Sequence, residues 1–180
     1  PGSLPIDGGT LRIAPHNGWR AFEVITLGDN PSGDGFAYSM PGTFDGIGAR
    51  IVASSLSVQI NHETSDASIS EVSLDLVNLQ SAIQNVISTG NVGGVSFVES
   101  ARRAYDRWSD DGGASWTATS DSSTTSFSRF CSGQSYEANT FGEDRGFADD
   151  LYITGEEVTN GSLFVVDLDG RDFYELSGVT

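Results

Sequence analysis

Apolar and polar positions alternate along this chain in short runs, each bounded by Gly, Asp, Asn or Ser, the pattern of β-strands separated by turns. The runs predict strands at Trp19–Leu27, Ala49–Ile60, Val95–Val98, Leu151–Thr154 and Ser162–Asp167. Within the second, Leu56-Ser57-Val58-Gln59-Ile60 alternates strictly, as a half-buried strand does. Leu163-Phe164-Val165-Val166 is continuously apolar, as expected of a strand covered on both faces. One helix is predicted over Val72–Ser88, where Leu76, Leu79, Ile83 and Val86 recur at spacings of three and four, and Gly90 follows at the position of a C-terminal cap.

The turns carry their own signals. Ser109-Asp110-Asp111-Gly112-Gly113-Ala114-Ser115-Trp116 fits the pattern S-x-D-x-G-x-[ST]-W. In such a hairpin turn the Asp accepts backbone hydrogen bonds, Gly takes positive φ and the Trp covers the loop. The octapeptide resembles the Asp-box of sialidase-type propellers, a structural signal that says little about a glycosidase; neither an arginine cluster nor a tyrosine nucleophile can be picked out. Thr119–Ser126 is low in complexity and predicts a solvated loop.

Strand pairs punctuated by Trp and Gly suit an all-β fold, a propeller or a sandwich, with one inserted helix. A blade takes ~40–50 residues and a propeller 4–8 blades. The 180 residues therefore make a single domain or the N-terminal half of a larger propeller, and a β-propeller is the expected architecture.

Composition narrows the function. Asp and Glu number 25 against nine basic residues, all Arg, for a net charge of −16. That surface excludes a nucleic-acid partner, which needs clustered cations, and disfavours anionic membranes. It suits cation binding and a salty exterior. No apolar run reaches the 18 or so residues of a membrane span. Cys131 is the only cysteine, so no intrachain disulfide can form. The start, Pro1-Gly2-Ser3-Leu4-Pro5, shows no signal peptide, as in a mature secreted chain or a trimmed one.

Four short constellations could carry chemistry. Asn61-His62-Glu63 follows the alternating strand; at period two Asn61 and Glu63 share a side and His62 takes the other. A carboxylate and an amide together at a strand end can hold a hard cation and orient an anion. Glu156-Glu157 follows an apolar strand and Gly155, and adjacent carboxylates favour a cation or diverge. In Arg129-Phe130-Cys131, Arg129 can clamp a phosphate or carboxylate and Cys131 can ligate a transition metal. The segment Asp45-Gly46-Ile47-Gly48-Ala49 reads as a tight loop whose Asp faces a ligand. Glu143, Asp144, Asp149 and Asp150 suggest calcium but lack EF-hand spacing. There is no P-loop, no G-x-S-x-G elbow and no H-E-x-x-H helix.

In order, Asp45-Gly46-Ile47-Gly48-Ala49, Asn61-His62-Glu63, Arg129-Phe130-Cys131-Ser132-Gly133 and Thr154-Gly155-Glu156-Glu157 resemble the PhoX-type alkaline phosphatases and the related haloalkylphosphorus (phosphotriester) hydrolases. The resemblance runs from about Gly28 to the C-terminus, and Gly161–Asp167 suits one of the family's blade strands. It implies a secreted β-propeller enzyme, periplasmic or extracellular, with a metal cluster on the axis: calcium with iron or manganese. It further implies that Glu63, Glu156 and Glu157 bind metal, that Cys131 ligates iron, that Asn61 contacts the substrate phosphoryl group, and that His62 can join the cluster. Remaining ligands would come from a second chain or from C-terminal sequence completing the propeller.

The expected function is metal-dependent hydrolysis of a small phosphoester, with the carboxylates holding metal and Asn61 and Arg129 positioning the phosphate. The competing reading is a non-enzymatic extracellular calcium-binding β module for adhesion or assembly. The two differ on one point: the enzyme needs Glu63, Cys131 and Glu156 or Glu157 gathered at one place.

Overall fold

The computed structural model describes residues 18–29, 38–120 and 125–176. Ten strands and one helix follow in order: β1 (Phe44–Val52), β2 (Ser55–His62), β3 (Ser68–Asp75), α1 (Leu76–Thr89), β4 (Val98–Arg103), β5 (Arg107–Ser109), β6 (Thr117–Ala118), β7 (Phe130–Tyr136), β8 (Leu151–Glu156), β9 (Leu163–Asp167) and β10 (Asp172–Leu176). They form a four-stranded antiparallel sheet, β1-β2-β3-β4, and a six-stranded sheet, β6-β5-β10-β9-β8-β7, in which β10 and β5 run parallel. No helix among the described residues is long and apolar enough to cross a membrane.

This corrects the propeller expectation. The described chain is mostly β, but neither sheet closes into a barrel and no ring of repeated blades forms. The motifs that suggested blades are hairpin turns and strand ends, which any antiparallel sheet needs. Ala49–Ile60 is not one strand but the hairpin of β1 and β2, reversed at residues 53–54 with Ala53 at φ 53°. Trp19–Leu27 forms no strand. The helix begins four residues later than its periodicity suggested, because Ser68–Asp75 is claimed by ladders to β2 and β4. Asp75 caps it, accepting from the Asn78 N–H at 2.7 Å, and Gly90 closes it at φ 86°.

The first sheet is two-faced. Val58, Ile60, Val72, Leu74 and Ala101 lie under α1 and under Tyr38, Met40 and Phe97. Its other face is mostly polar and meets the second sheet: Ser57, Gln59 and Asn61 of β2 are buried there, and Ile69 of β3 joins the second sheet's core. The second sheet has an aromatic core of Phe127, Phe130, Phe164, Phe173 and Tyr105. Tyr105 stacks on Phe173 at 4.4 Å between centroids, and Phe127 meets Phe164 edge-on at 5.1 Å. Each buried ring contributes roughly 1.5–3 kcal/mol.

Hydrogen bonds and ion pairs join the sheets. Ser135 Oγ donates to Gln59 Oε1 (2.8 Å), Gln59 Nε2 to Ser57 Oγ (2.8 Å) and Ser57 Oγ to Glu71 Oε1 (2.7 Å). Arg102 and Arg171 pair with the other Glu71 oxygen at 2.9 and 3.3 Å. Buried Arg50 of β1 reaches Asp150 and, at 2.8 Å, Asp169. The Ser109–Trp116 turn is the hairpin its sequence predicts. Asp111 accepts from the Ser115 N–H and Oγ and from Ser109 Oγ, which hold its carboxyl down at about 2. Trp116 packs on Tyr174 and under Arg107, 4.1 Å from the ring centroid.

Strand β1 crosses directly over β7, and two glycines permit it. A Cβ at Gly46 would stand 2.4 Å from the Cys131 carbonyl, and one at Gly48 would stand 2.7 Å from the Ser135 N. The close backbone approach requires that both stay bare. Gly48→Ala should therefore lower stability by about 1–3 kcal/mol in urea unfolding, the ordinary cost of overpacking; unchanged stability would show that β1 sits further from β7.

Candidate metal centre

Three of the four constellations converge where β1 crosses β7. Asp45, Glu63 and Cys131 each offer a ligand atom, and these atoms all lie within 4.8 Å of one another. Cys131 Sγ donates to Glu157 Oε2 at 3.0 Å, which brings in a fourth residue. The four come from β1, the residue after β2, β7 and the residue after β8. Asp45 and Glu157 are exposed, while Glu63 and Cys131 are half-buried, so the group opens to solvent on one side.

Local backbone irregularities aim these side chains. On β1, Phe44 pairs with His62 and Ile47 with Ile60, so Asp45 and Gly46 together oppose Asn61. On β7, Phe130 pairs with Glu156 and Gly133 with Thr154, so Cys131 and Ser132 together oppose Gly155. Each is a β-bulge, one extra residue that re-aims a side chain. Two residues before Asp45 and Cys131 the chain takes positive φ, at Thr43 (53°) and Arg129 (50°), uncommon for non-glycine residues. The Glu63 N–H donates to the Thr43 carbonyl and the Glu157 N–H to the Arg129 carbonyl, both at 2.9 Å, fastening the carboxylate residues to those same turns.

The electrostatics are one-sided. Partial burial, the hydrogen bond to Glu157 and the carboxylates of Glu157, Glu63 and Asp45 push the Cys131 thiol up to about 12. Three acidic side chains thus surround a thiol held protonated. Ligands ~2.0–2.5 Å from a shared cation stand within roughly 4–5 Å of one another, and a carboxylate–thiol set suits a transition metal better than calcium alone. The residues fit a metal ion in spacing, charge and donor chemistry.

The other expected site residues are placed differently. Glu156 turns to the backbone and accepts from the N–H groups of Ser128 (2.8 Å) and Ser162 (3.3 Å), fixing the loop rather than joining the group. His62 points to the opposite side, as alternation demands: Nδ1 lies 3.1 Å from the Gly42 carbonyl and Nε2 2.6 Å from Ser70 Oγ, itself bonded to Tyr38. Both ring nitrogens are engaged away from the cluster. Asn61 is fully buried and bonded within the protein, so it does not face a substrate. Arg129 is exposed beside the group and donates to the Glu157 carbonyl. Among the described residues, Glu143, Asp144, Asp149 and Asp150 form no comparable group; Asp150 is occupied by Arg50 and the Ala138 N–H.

Asp45, expected in a tight loop, stands instead in a bulged strand. Tyr152 and Thr154 share the Asn61 network; the sequence motifs include Thr154 without a role and omit Tyr152. Their period-two spacing on β8 places them on one face, but no sequence signal shows what that face meets. Searches of protein-family models, curated proteins and solved structures return no match.

His62 yields a pH prediction. Burial, reinforced by the charge of Arg103 and opposed by the Gly42 hydrogen bond, lowers its pKa from 6.5 to about 4. The unfolded chain then takes up a proton that the folded chain refuses between those values, so this contribution is present above pH 6.5 and is lost on acidification towards pH 4. At pH 5 it should cost about 2 kcal/mol relative to pH 7. In urea titrations across this window, His62→Gln should flatten the acid slope; an unaltered slope would refute the assignment.

Proposed function

We propose that Asp45, Glu63, Cys131 and Glu157 hold a transition-metal ion, alone or with calcium, and that the centre hydrolyses phosphoesters. What carries the reading is the convergence, within 4.8 Å, of ligand atoms from residues 45, 63 and 131, with Glu157 hydrogen-bonded to the thiol. A cation there would supply Lewis acidity to a phosphoryl oxygen and reverse the local repulsion of an anionic substrate.

The chain's own residues have separable tasks in this reading. Asp45, Glu63 and Glu157 present oxygens, and Cys131 presents the sulfur that favours a transition metal. Arg129, exposed at the rim, can take two phosphoryl oxygens with its planar guanidinium. Glu156, bonded to two backbone N–H groups, keeps the Glu157 turn in place. The thiol also counts against a purely calcium-binding module, since calcium takes oxygen ligands.

The test is hydrolysis of p-nitrophenyl phosphate by protein loaded in turn with iron, manganese, zinc and calcium. Glu63→Ala and Cys131→Ser should each lower kcat/KM by roughly 100-fold or more. Arg129→Ala should raise KM more than it lowers kcat. Turnover no greater than the metal blank for every loaded form would overturn the hydrolase reading, and full activity in Glu63→Ala would overturn the site.

A further inference from the structure

One buried amide touches both bulges. Asn61 lies wholly out of solvent and directly opposite the Asp45-Gly46 bulge. Its Nδ2 donates to the Ser132 carbonyl at 3.2 Å and to Thr154 Oγ1 at 2.9 Å. Its Oδ1 accepts from the Tyr152 hydroxyl at 2.9 Å. Tyr152 Oη also lies 3.0 Å from the Gly46 carbonyl, and Thr154 Oγ1 lies 2.9 Å from that of Ser132. Ser132 follows Cys131, Gly46 follows Asp45, and Asn61 itself precedes Glu63 by two. One side chain is therefore tied to the backbone next to Cys131 and, through Tyr152, to that next to Asp45, and it stands two residues before Glu63.

The pocket around it is tight. A Cβ on Gly46 would come 2.8 Å from Asn61 Nδ2, and one on Gly133 would come 1.9 Å from the Tyr152 hydroxyl. The amide spends both N–H donors inside the protein, so it has none left for a substrate. Bulges are places where ladder pairing is interrupted, and their geometry must be held by something else. Here the holding groups are neutral, buried and mutually bonded, an arrangement that rigidifies when every member is satisfied.

We propose that Asn61, acting through Ser132, Thr154 and Tyr152, is a positioning residue that locks the β1 and β7 bulges together and so sets the spacing of Asp45, Glu63 and Cys131. This rests on the metal-centre reading for its functional meaning, but the clamp itself is a statement about geometry. Groups that hold metal ligands typically change affinity by about 10- to 100-fold when removed.

The experiment compares cobalt(II) affinity, read from the thiolate-to-cobalt absorption, in the wild type, Tyr152→Phe, Thr154→Val, Thr154→Ser and Asn61→Ala. Leu168→Ala, a core truncation that removes none of the network's hydrogen bonds, controls for stability loss alone. Tyr152→Phe and Thr154→Val should bind cobalt about 10-fold or more weakly, with a displaced absorption band, while Thr154→Ser and Leu168→Ala keep wild-type values. Should Asn61→Ala fail to fold, the two hydroxyl deletions still decide. Wild-type affinity in both hydroxyl deletions would overturn the clamp. If the wild type takes up no cobalt, the metal reading fails, and the Asp45-to-Cys131 distance in crystals of metal-free wild type and Tyr152→Phe decides instead: separation in the variant supports the clamp, and an unchanged distance overturns it.

Discussion

The structure depends on one close contact, the passage of β1 across β7 with bare glycine backbone at Gly46 and Gly48. Two sheets with separate cores meet there. The first buries its apolar face under α1, and the second buries a cluster of phenylalanines. The second core reaches the first sheet at Ile69 of β3, but the crossing of β1 over β7 is polar. It is held instead by Asn61, Gln59, Ser135, Tyr152, Arg50 and their partners, and a polar seam of this kind specifies one register because each wrong pairing leaves a buried group unsatisfied. The bulges that present Asp45 and Cys131 lie on the two strands that cross.

Charge then becomes a local question. The chain carries −16, and most of that charge is solvated or paired with arginine. At the crossing, Asp45, Glu63 and Glu157 gather about a thiol with Arg129 at the edge. Like charges held this close repel one another, and the proposed cation would offset that repulsion. In that proposal the sulfur would favour a transition metal over calcium, and the group is open to solvent on one side.

Sequence patterning made part of this readable. Alternation at Leu56–Ile60, the apolar run at Leu163–Val166, the Asp111 turn and the Gly90 cap are local signals, and local physics decides them. Architecture was not local. The motifs of a propeller-like enzyme are turns and strand ends, and they fit a four-stranded and a six-stranded sheet equally well. Strand β3 was hidden because Val72 and Leu74 continue into the helical spacing of Leu76 and Leu79, and only the ladders to β2 and β4 decide the boundary. Short motifs named Glu63, Cys131 and Glu157 together with Glu156 and His62; alternation already turned His62 away from Glu63, while only the fold turns Glu156 to the Ser128 and Ser162 N–H groups. Asn61 was picked out for a substrate contact, yet its buried neighbours Tyr152 and Thr154 belong to a strand some ninety residues away, and no spacing rule reaches that far.

In the proposed reading the gathered side chains hold metal. The most direct measurement is elemental analysis of the purified chain after equilibration with iron and zinc and thorough desalting. The account predicts about one transition-metal ion per chain in the wild type, and trace amounts in the Glu63→Ala/Cys131→Ser double variant. Metal at trace level in the wild type, or equal metal in both proteins, would contradict it.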